Sequence, residues 1–292
     1  MMDGKLEAKN ISMHFKDYQA LSDVNFTLEG NKIVGLIGRN GAGKTTLLSI
    51  LAAYRDATVG YVEANGKLVF ENAKYMKNST FLYEAPVKDL QDQKASKYFE
   101  KLQLYRPNFD KTYANELMKR FKVPDNKNLS KLSKGQLSAF NMIVGLASRT
   151  PITILDEVYL GMDAPTRSMF YKELLNEQEK HPRLFILSTH LVSEMEYLFD
   201  EVMMIHEGKL LLHDDYQSII ERGYFITGSH DDVDEFCSGI DVLIEETIGG
   251  SKTVLIYEDL KEQDIQEARA AGLDISQAKL QDLFTHLTGG EH

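Results

Sequence analysis

The stretch IVGLIGRNGAGKTTLLSILAA, residues 33–53, decides how the rest of the chain is interpreted. It opens with an apolar run that predicts a buried strand over 33–37, and it ends in helical periodicity over 45–53. The turn between them fits the pattern G-x-x-x-x-G-K-[ST]. In such a turn, glycines let main-chain N–H groups face a phosphate chain, and the helix N-terminus beyond favours negative charge. The stretch therefore predicts a nucleotide site.

The predicted roles within this turn follow from residue chemistry. Lys44 would reach the β- and γ-phosphates of the nucleotide, and the Thr45 hydroxyl would ligate Mg²⁺. The plainer alternative is a glycine-rich turn with an exposed lysine, which the strand–turn–helix context disfavours. The predicted phosphate-binding residues are Gly38, Asn40, Gly41, Ala42, Gly43, Lys44, Thr45 and Thr46.

A second stretch, ILDEVYLGMD at residues 154–163, places two adjacent carboxylates at the end of a predicted strand. A buried, unpaired carboxylate is costly, so a cation is expected nearby. An aspartate at this position holds Mg²⁺ in P-loop NTPases, which assigns Asp156 to the metal. Successive strand side chains point to opposite faces, so Glu157 is expected to orient the water that attacks the γ-phosphate.

Composition limits the class of protein. The 292 residues are 43% hydrophobic and 26% charged, which is ordinary for a globular chain. A formal net charge of −11 argues against a nucleic-acid partner. The single cysteine, Cys237, excludes an intrachain disulfide and fits a reducing compartment. Apolar runs stay well below the roughly 18 residues of a membrane span, so a cytoplasmic location is expected.

Periodicity predicts an α/β sheet over residues 33–205 with a mostly helical insertion. Near residue 217 the character of the sequence changes. We therefore predict an ATPase domain over 1–216 and a small α+β accessory domain over 217–292. Helices are predicted over 89–105, 113–121, 135–148, 164–180 and 192–199, and a hairpin over 241–246 and 253–257 that turns at 249–251.

Three further motifs carry a family resemblance. LSKGQ at 132–136 looks like an LSGGQ signature with lysine in the middle, GMD at 161–163 like a D-loop, and STH at 188–190 like a switch-histidine loop. With the two motifs above, in this order, residues 5–215 resemble the ATP-binding subunits of ABC transporters. The resemblance implies a RecA-like P-loop NTPase core with an antiparallel β subdomain and a helical subdomain at about 87–148.

The resemblance also implies a mechanism and two kinds of partner. Two such subunits, identical or not, would face each other head to tail around two ATP molecules with Mg²⁺. Ser133, Gly135 and Gln136 would contact the γ-phosphate held by the other subunit. His190 would sense that phosphate, and Asp163 would link the two sites across the interface.

Two more site residues come from alignment with the family. An aromatic residue that stacks on adenine is expected at Phe15, with Tyr18 as a possible substitute. A glutamine that contacts Mg²⁺ and water is expected about forty residues after Lys44, where this chain has Glu84. The carboxylate keeps an oxygen for the metal but loses the amide donors.

The helical subdomain would grip a membrane-spanning subunit, which places the chain on the inner face of the cell membrane. DEVYLGMDAP at 156–165 and LSTHLVSE at 187–194, with an acidic C-terminal domain, resemble ATPases of ABC-2-type exporters of Gram-positive bacteria, some of which move peptides. Two alternatives are a non-transport ABC ATPase acting in translation or DNA maintenance, and a pseudo-ATPase. The single cassette and negative charge disfavour the first, and intact Glu157 and His190 disfavour the second.

Overall fold

A six-stranded sheet forms the centre of the computed structural model, which describes residues 5–83 and 92–289. Five of its strands are parallel, and the sixth pairs antiparallel at one edge. The spatial order is β10-β9-β3-β8-β7-β6. These strands are β3 (Ile33–Ile37), β6 (Ser79–Leu82), β7 (Ile152–Asp156), β8 (Leu184–Thr189), β9 (Glu201–His206) and β10 (Lys209–Asp215).

A four-stranded antiparallel sheet covers one face of this layer, with helix α1 (Lys44–Leu51) between the two sheets. One buried cluster joins Leu21, Leu47 and Ile186, which come from this sheet, from α1 and from β8. The shared core holds the two sheets and the helix together by apolar burial. The antiparallel strands are β1 (Leu6–Phe15), β2 (Tyr18–Leu28), β4 (Val59–Ala64) and β5 (Lys67–Leu68).

Helices occupy the other face and the predicted helical insertion. Phe99, Phe140 and Phe185 belong to one buried cluster that attaches the insertion to the central sheet. The helix predicted over 89–105 begins only at Ala95, because residues 92–94 form a turn and a bridge, and residues 89–91 lie outside the described part. Besides α1, the α-helices before the end of β8 are α2 (Ala73–Asn78), α3 (Ala95–Tyr105), α4 (Lys111–Arg120), α5 (Lys134–Ser148) and α6 (Ala164–Lys180).

The segment after β8 departs from the predicted single helix over 192–199. It forms a short helix α7 (Val192–Met195) followed by a 3₁₀ turn, Glu196–Leu198. Met195 from the short helix and Leu198 from the 3₁₀ turn are both buried in the core. The prediction of one continuous helix is therefore wrong.

A third sheet, antiparallel with the order β12-β13-β11-β14, lies in the predicted accessory segment. It does not have a fully separate core, because Leu280, Leu283 and Phe284 share a buried cluster with Met195 and Phe199. The predicted hairpin is present, but its turn is Gly249-Gly250 alone, since β13 already begins at residue 251. The elements are α8 (Tyr216–Ile220), β11 (Gly223–Ser229), α9 (His230–Phe236), β12 (Val242–Ile248), β13 (Ser251–Tyr257), α10 (Glu262–Ala270), β14 (Asp274–Gln277) and α11 (Leu280–Leu287).

The α/β fold class is confirmed, while the division at residue 216 stays a prediction. Over residues 5–83 and 92–289, no helix has the length and hydropathy needed to cross a membrane.

Candidate functional site

The glycine-rich turn predicted from the sequence connects the carboxyl end of β3 to the start of α1. Glycine is required at two of its positions for different reasons. Gly43 has φ 108°, a left-handed conformation that side chains rarely adopt. At Gly38 a Cβ would lie 2.7 Å from the carbonyl oxygen of Ile205 on β9. The turn therefore packs tightly on the neighbouring strand and leaves its open side for a ligand.

Lys44 is 6% exposed and its ammonium points back across the turn. Nζ donates to the carbonyl oxygens of Gly38 at 2.7 Å and Arg39 at 3.2 Å. It also lies 3.3 Å from Glu157 Oε1. Because an ammonium has three protons, a phosphate oxygen that binds Lys44 replaces one of these contacts. The lysine is thus held at the phosphate position before any nucleotide binds.

The pair predicted for Mg²⁺, Thr45 and Asp156, is in direct contact. Thr45 Oγ1 donates to Asp156 Oδ2 at 2.7 Å, and Ser188 Oγ donates to the other carboxylate oxygen. Burial raises the pKa of Asp156; the bonds from Ser188 and Thr45 oppose this, and the negative charge of Glu157 adds to it. A bound cation would therefore stabilise the charged form of this carboxylate.

The donor set fits Mg²⁺. A hydroxyl and a carboxylate oxygen lie side by side at the edge where the phosphates are expected. Mg²⁺ is usually held by one or two carboxylates together with substrate phosphates and waters. Within residues 5–83 and 92–289 there is no cluster of three His, Cys, Asp or Glu side chains that could hold a metal by itself. This site would therefore bind the metal together with a nucleotide, with Thr45 and Asp156 as the protein ligands.

Glu157 lies beyond the end of β7 with φ 50°, in the left-handed region. Three contacts hold it there: its N–H donates to Ser188 Oγ at 3.0 Å, Oε1 lies 3.0 Å from His190 Nδ1, and Lys44 Nζ lies 3.3 Å from the same oxygen. A strained residue held by several partners is typical of functional sites. The carboxylate is partly exposed and faces the same space as the phosphate turn.

A cavity of about 290 Å³ is bordered by Lys44, Thr45 and Glu157 and also by the aromatic side chains of Phe15 and Tyr18. Both rings are exposed, by 38% and 59%, and the guanidinium of Arg55 lies 4.9 Å from the Phe15 ring centroid. Either ring has a free area on which a base could stack. The lining residues are Phe15, Tyr18, Ala20, Asn40, Gly41, Gly43, Lys44, Thr45, Thr46 and Glu157. Of the other predicted turn residues, Gly38 lies behind the cavity, and Ala42 accepts a hydrogen bond from Gly208.

The signature segment begins helix α5. Ser133 is the N-cap, its hydroxyl accepts from Gln136 N at 3.2 Å, and the Gln136 side chain accepts from Ser133 N at 3.1 Å. This reciprocal pair satisfies two helix-terminal N–H groups. At Gly135 a Cβ would lie 2.7 Å from the carbonyl oxygen of Gly161. The signature helix therefore packs against the segment that follows Glu157.

Asp163 ends that segment as the N-cap of α6. Its side chain accepts from Thr166 N at 2.9 Å, and hydrogen bonding to Thr166 lowers the pKa of the Asp163 carboxyl.

The predicted site residues fall into two groups. Within the described part of the chain, residues 132–136 and Asp163 do not line the cavity. They form a second surface on the same chain. Glu84, predicted to contact Mg²⁺, lies outside the described residues.

The structure adds residues to the site that sequence reasoning did not single out. Ser188 bridges the Asp156 carboxylate and the Glu157 N–H, and Arg55 lies beside Phe15. Ser188 stands opposite Asp156 in the parallel register of β7 and β8. The carboxyl ends of parallel strands share one edge, so that pairing was the signal that could have revealed Ser188.

Comparison with known proteins identifies the class that this fold and site define. Residues 21–159 match the ABC transporter family. The ABC transporter ATP-binding protein YtrB of Bacillus subtilis (strain 168) is 26% identical over 290 residues, which cover 98% of this chain and 99% of YtrB. These matches show an ABC transporter ATP-binding domain within this chain, an ATPase domain that binds ATP with Mg²⁺.

Solved structures support the fold. One described as the ATP-binding subunit of an ABC transporter has a TM-score of 0.65 and 21% identity over 73% of this chain and 91% of its own. A second, the dimeric post-hydrolysis state of an ATP-binding cassette bound to ADP and Pi, has a TM-score of 0.62 and 18% identity over 72% and 98% of the two chains.

Proposed function

We propose that this ATPase powers export by a separate membrane-spanning subunit and that it acts on the cytoplasmic face of the membrane. The observation that supports the coupling of ATP hydrolysis to transport is that the site residues are divided between two surfaces of the chain. Lys44, Thr45 and Glu157 line one cavity, and Asp156 accepts a hydrogen bond from Thr45 beside it, while the signature helix forms a second surface of the same chain. Two chains arranged head to tail would each complete the other's site with Ser133 and Gly135.

Within this proposal each side chain has a stated task. Lys44 and the main-chain N–H groups of residues 40–45 bind the phosphates, and Thr45 and Asp156 hold Mg²⁺, which would neutralise phosphate charge. Glu157 orients the attacking water and accepts its proton. His190, 3.0 Å from Glu157, contacts the γ-phosphate. Product release would follow when the two chains separate.

We place the membrane subunit at an aromatic cleft between β6, α3 and α5. Tyr54, Phe81, Tyr83 and Tyr98 line it, and Tyr54 is 55% exposed. Exposed aromatic side chains at the edge of a cleft are favourable anchors for a partner. Tyr54→Ala should weaken co-sedimentation with membranes that contain the partner, whereas Tyr61→Ala, an exposed tyrosine outside the cleft, should not.

Export and the substrate class rest on the resemblance of residues 156–165 and 187–194 to ABC-2-type exporters, and peptides are the proposed substrates. Inverted membrane vesicles test the direction, because their cytoplasmic face is outward. Vesicles with wild-type chain should accumulate labelled peptide when Mg²⁺-ATP is added, and vesicles with Glu157→Gln should not. ATP-dependent loss of preloaded peptide from the lumen would contradict export.

A further inference from the structure

The two loops that hold Glu157 and His190 are joined by a contact between two hydroxyl groups. Tyr159 Oη lies 2.6 Å from Thr189 Oγ1. Both side chains are buried, with 2% and 0% exposed. Both residues are close in sequence to the site residues. Tyr159 follows Glu157 by two residues, and Thr189 directly precedes His190.

Thr189 also shapes the turn that presents His190. The N–H of Leu191 donates to Thr189 Oγ1 at 2.9 Å, which closes a side-chain turn around the histidine. The same oxygen therefore serves two contacts, one within its own loop and one to Tyr159. Any displacement of the Tyr159 hydroxyl is passed directly to the turn.

Three consecutive residues, the last two of β8 and the one that follows it, thus contact the end of β7 and the segment after it. Ser188 bonds to Asp156 and to the Glu157 N–H, Thr189 meets Tyr159, and His190 meets Glu157. The Ser188 and His190 contacts involve groups that would change partners when Mg²⁺ or phosphate binds. The contact between Tyr159 and Thr189 involves neither, so it can persist throughout the reaction.

We propose that Tyr159 is a positioning residue for ATP hydrolysis, which holds the His190 turn in register with Glu157 through the Thr189 hydroxyl. Burial raises the pKa of Tyr159, so the phenol stays protonated and retains its hydrogen bond. The inference rests on the roles proposed above for Glu157 and His190.

Tyr159→Phe tests it by removing one oxygen and keeping the ring. We expect kcat to fall by about tenfold, because small misplacements of reacting groups are costly, while KM for ATP changes by less than about twofold. Thr189→Val also removes the acceptor for the Leu191 N–H and should lose at least as much, and the double variant should be no worse than Thr189→Val alone. Thr189→Ser keeps a hydroxyl and should recover most of the rate.

The matched control is Tyr75→Phe. Tyr75 is equally buried and its hydroxyl donates to the Leu51 carbonyl oxygen at 2.5 Å, at the far end of α1. It should lower Tm comparably and leave kcat at the wild-type value. If Tyr159→Phe does the same, or if the Tyr159 and Thr189 effects are additive, the positioning role is wrong.

The proposed function is tested separately by Glu157→Gln. A fully active Glu157→Gln would overturn the proposed role of Glu157, whereas an inactive Glu157→Gln with a fully active Tyr159→Phe would overturn only the inference on Tyr159. Should Tyr159→Phe fail to fold, the comparison of Thr189→Val with Thr189→Ser decides: equal rates in the two variants would reject the inference.

Discussion

At the residue scale, Glu157 combines an unusual backbone conformation with the central chemical role proposed here. Its φ of 50° costs about 1–2 kcal/mol for a residue with a side chain. The bonds to Ser188 and His190 and the nearby charge of Lys44 offset that cost. The strain fixes the carboxylate at the cavity, where a water beside the γ-phosphate could be polarised.

Glu157→Gln should nearly abolish hydrolysis while ATP binding is retained, because an amide has the shape of the carboxylate but cannot accept the proton. We expect a loss of roughly 10²–10⁴-fold in kcat. The ATP-bound dimer should then accumulate, which light scattering during gel filtration with Mg²⁺-ATP measures. Turnover at the wild-type rate would show that another group activates the water.

Lys44→Ala should weaken ATP affinity by about tenfold or more, since its ammonium lies at the cavity where the β- and γ-phosphates are expected. Binding of a fluorescent ATP analogue measures the effect. Lys67→Ala, an exposed lysine on β5, is the control and should bind normally. Equal affinity of the two variants would remove the main support for the phosphate site.

Val158→Pro tests the residue that directly follows Glu157. The residue before a proline is driven towards extended conformations, and Glu157 here is left-handed. Val158 is also buried, with 2% exposed. We therefore expect the variant to have a lower ATPase rate and a lower Tm. An unchanged rate would mean that the left-handed conformation of Glu157 has no part in hydrolysis.

At the element scale, the start of α5 and the segment after Glu157 depend on each other through two glycines. A Cβ at Gly135 would collide with the main chain of Gly161, and one at Gly161 would lie 2.8 Å from the Lys134 side chain. A shift of the signature helix therefore has to move the segment that leads from Glu157 to Asp163. The two surfaces of the divided site are mechanically joined inside each chain.

Gly135→Ala should cost about 1–3 kcal/mol of stability through overpacking and should lower the ATPase rate. Gly250→Ala is the matched control, because a Cβ there meets no atom within 4 Å and Gly250 does not have a positive φ. Thermal unfolding and steady-state ATPase assays measure both effects. A Gly135→Ala protein as stable and active as Gly250→Ala would refute the close packing.

Sequence patterns predicted some elements with accurate ends and missed others entirely. Strand 33–37 and helix 164–180 were predicted correctly, because an apolar run and strong caps such as Asp163 mark them locally. Strands β4, β5, β6, β11 and β14 were not predicted. β6 and β14 have four residues each and no clear turn signal, so pairing with distant strands defines them.

For the candidate site, too, local sequence patterns could not predict contacts that depend on the pairing of distant strands. Motif spacing singled out Lys44, Thr45, Asp156, Glu157 and His190, and the fold brings these side chains close together, while their roles stay predictions. Their proximity depends on the strand order, in which β8 lies between β3 and β7. The contacts of Ser188 and Tyr159 depend on that strand order, so no local sequence pattern predicts them.

At the scale of the whole molecule, the C-terminal segment shares its core with the ATPase fold. Leu283 packs in the same buried cluster as Met195 and Phe199. Leu283→Ala should therefore destabilise the entire chain by about 2–5 kcal/mol. Calorimetry should show one transition at lower Tm. Ile248→Ala, at a side chain that is 80% exposed, should have little effect.

Two separate calorimetric transitions, with only one affected by Leu283→Ala, would instead indicate that the C-terminal segment unfolds independently.

Helix α11 packs against α7, which begins two residues after His190. We therefore predict that the C-terminal segment is thermodynamically linked to the occupancy of the γ-phosphate position, although it lies outside the cavity. Deuterium uptake by amides of residues 280–287 should slow when ATP replaces ADP, and slow further in Glu157→Gln. The last helix would then report the nucleotide state of a site that it does not touch.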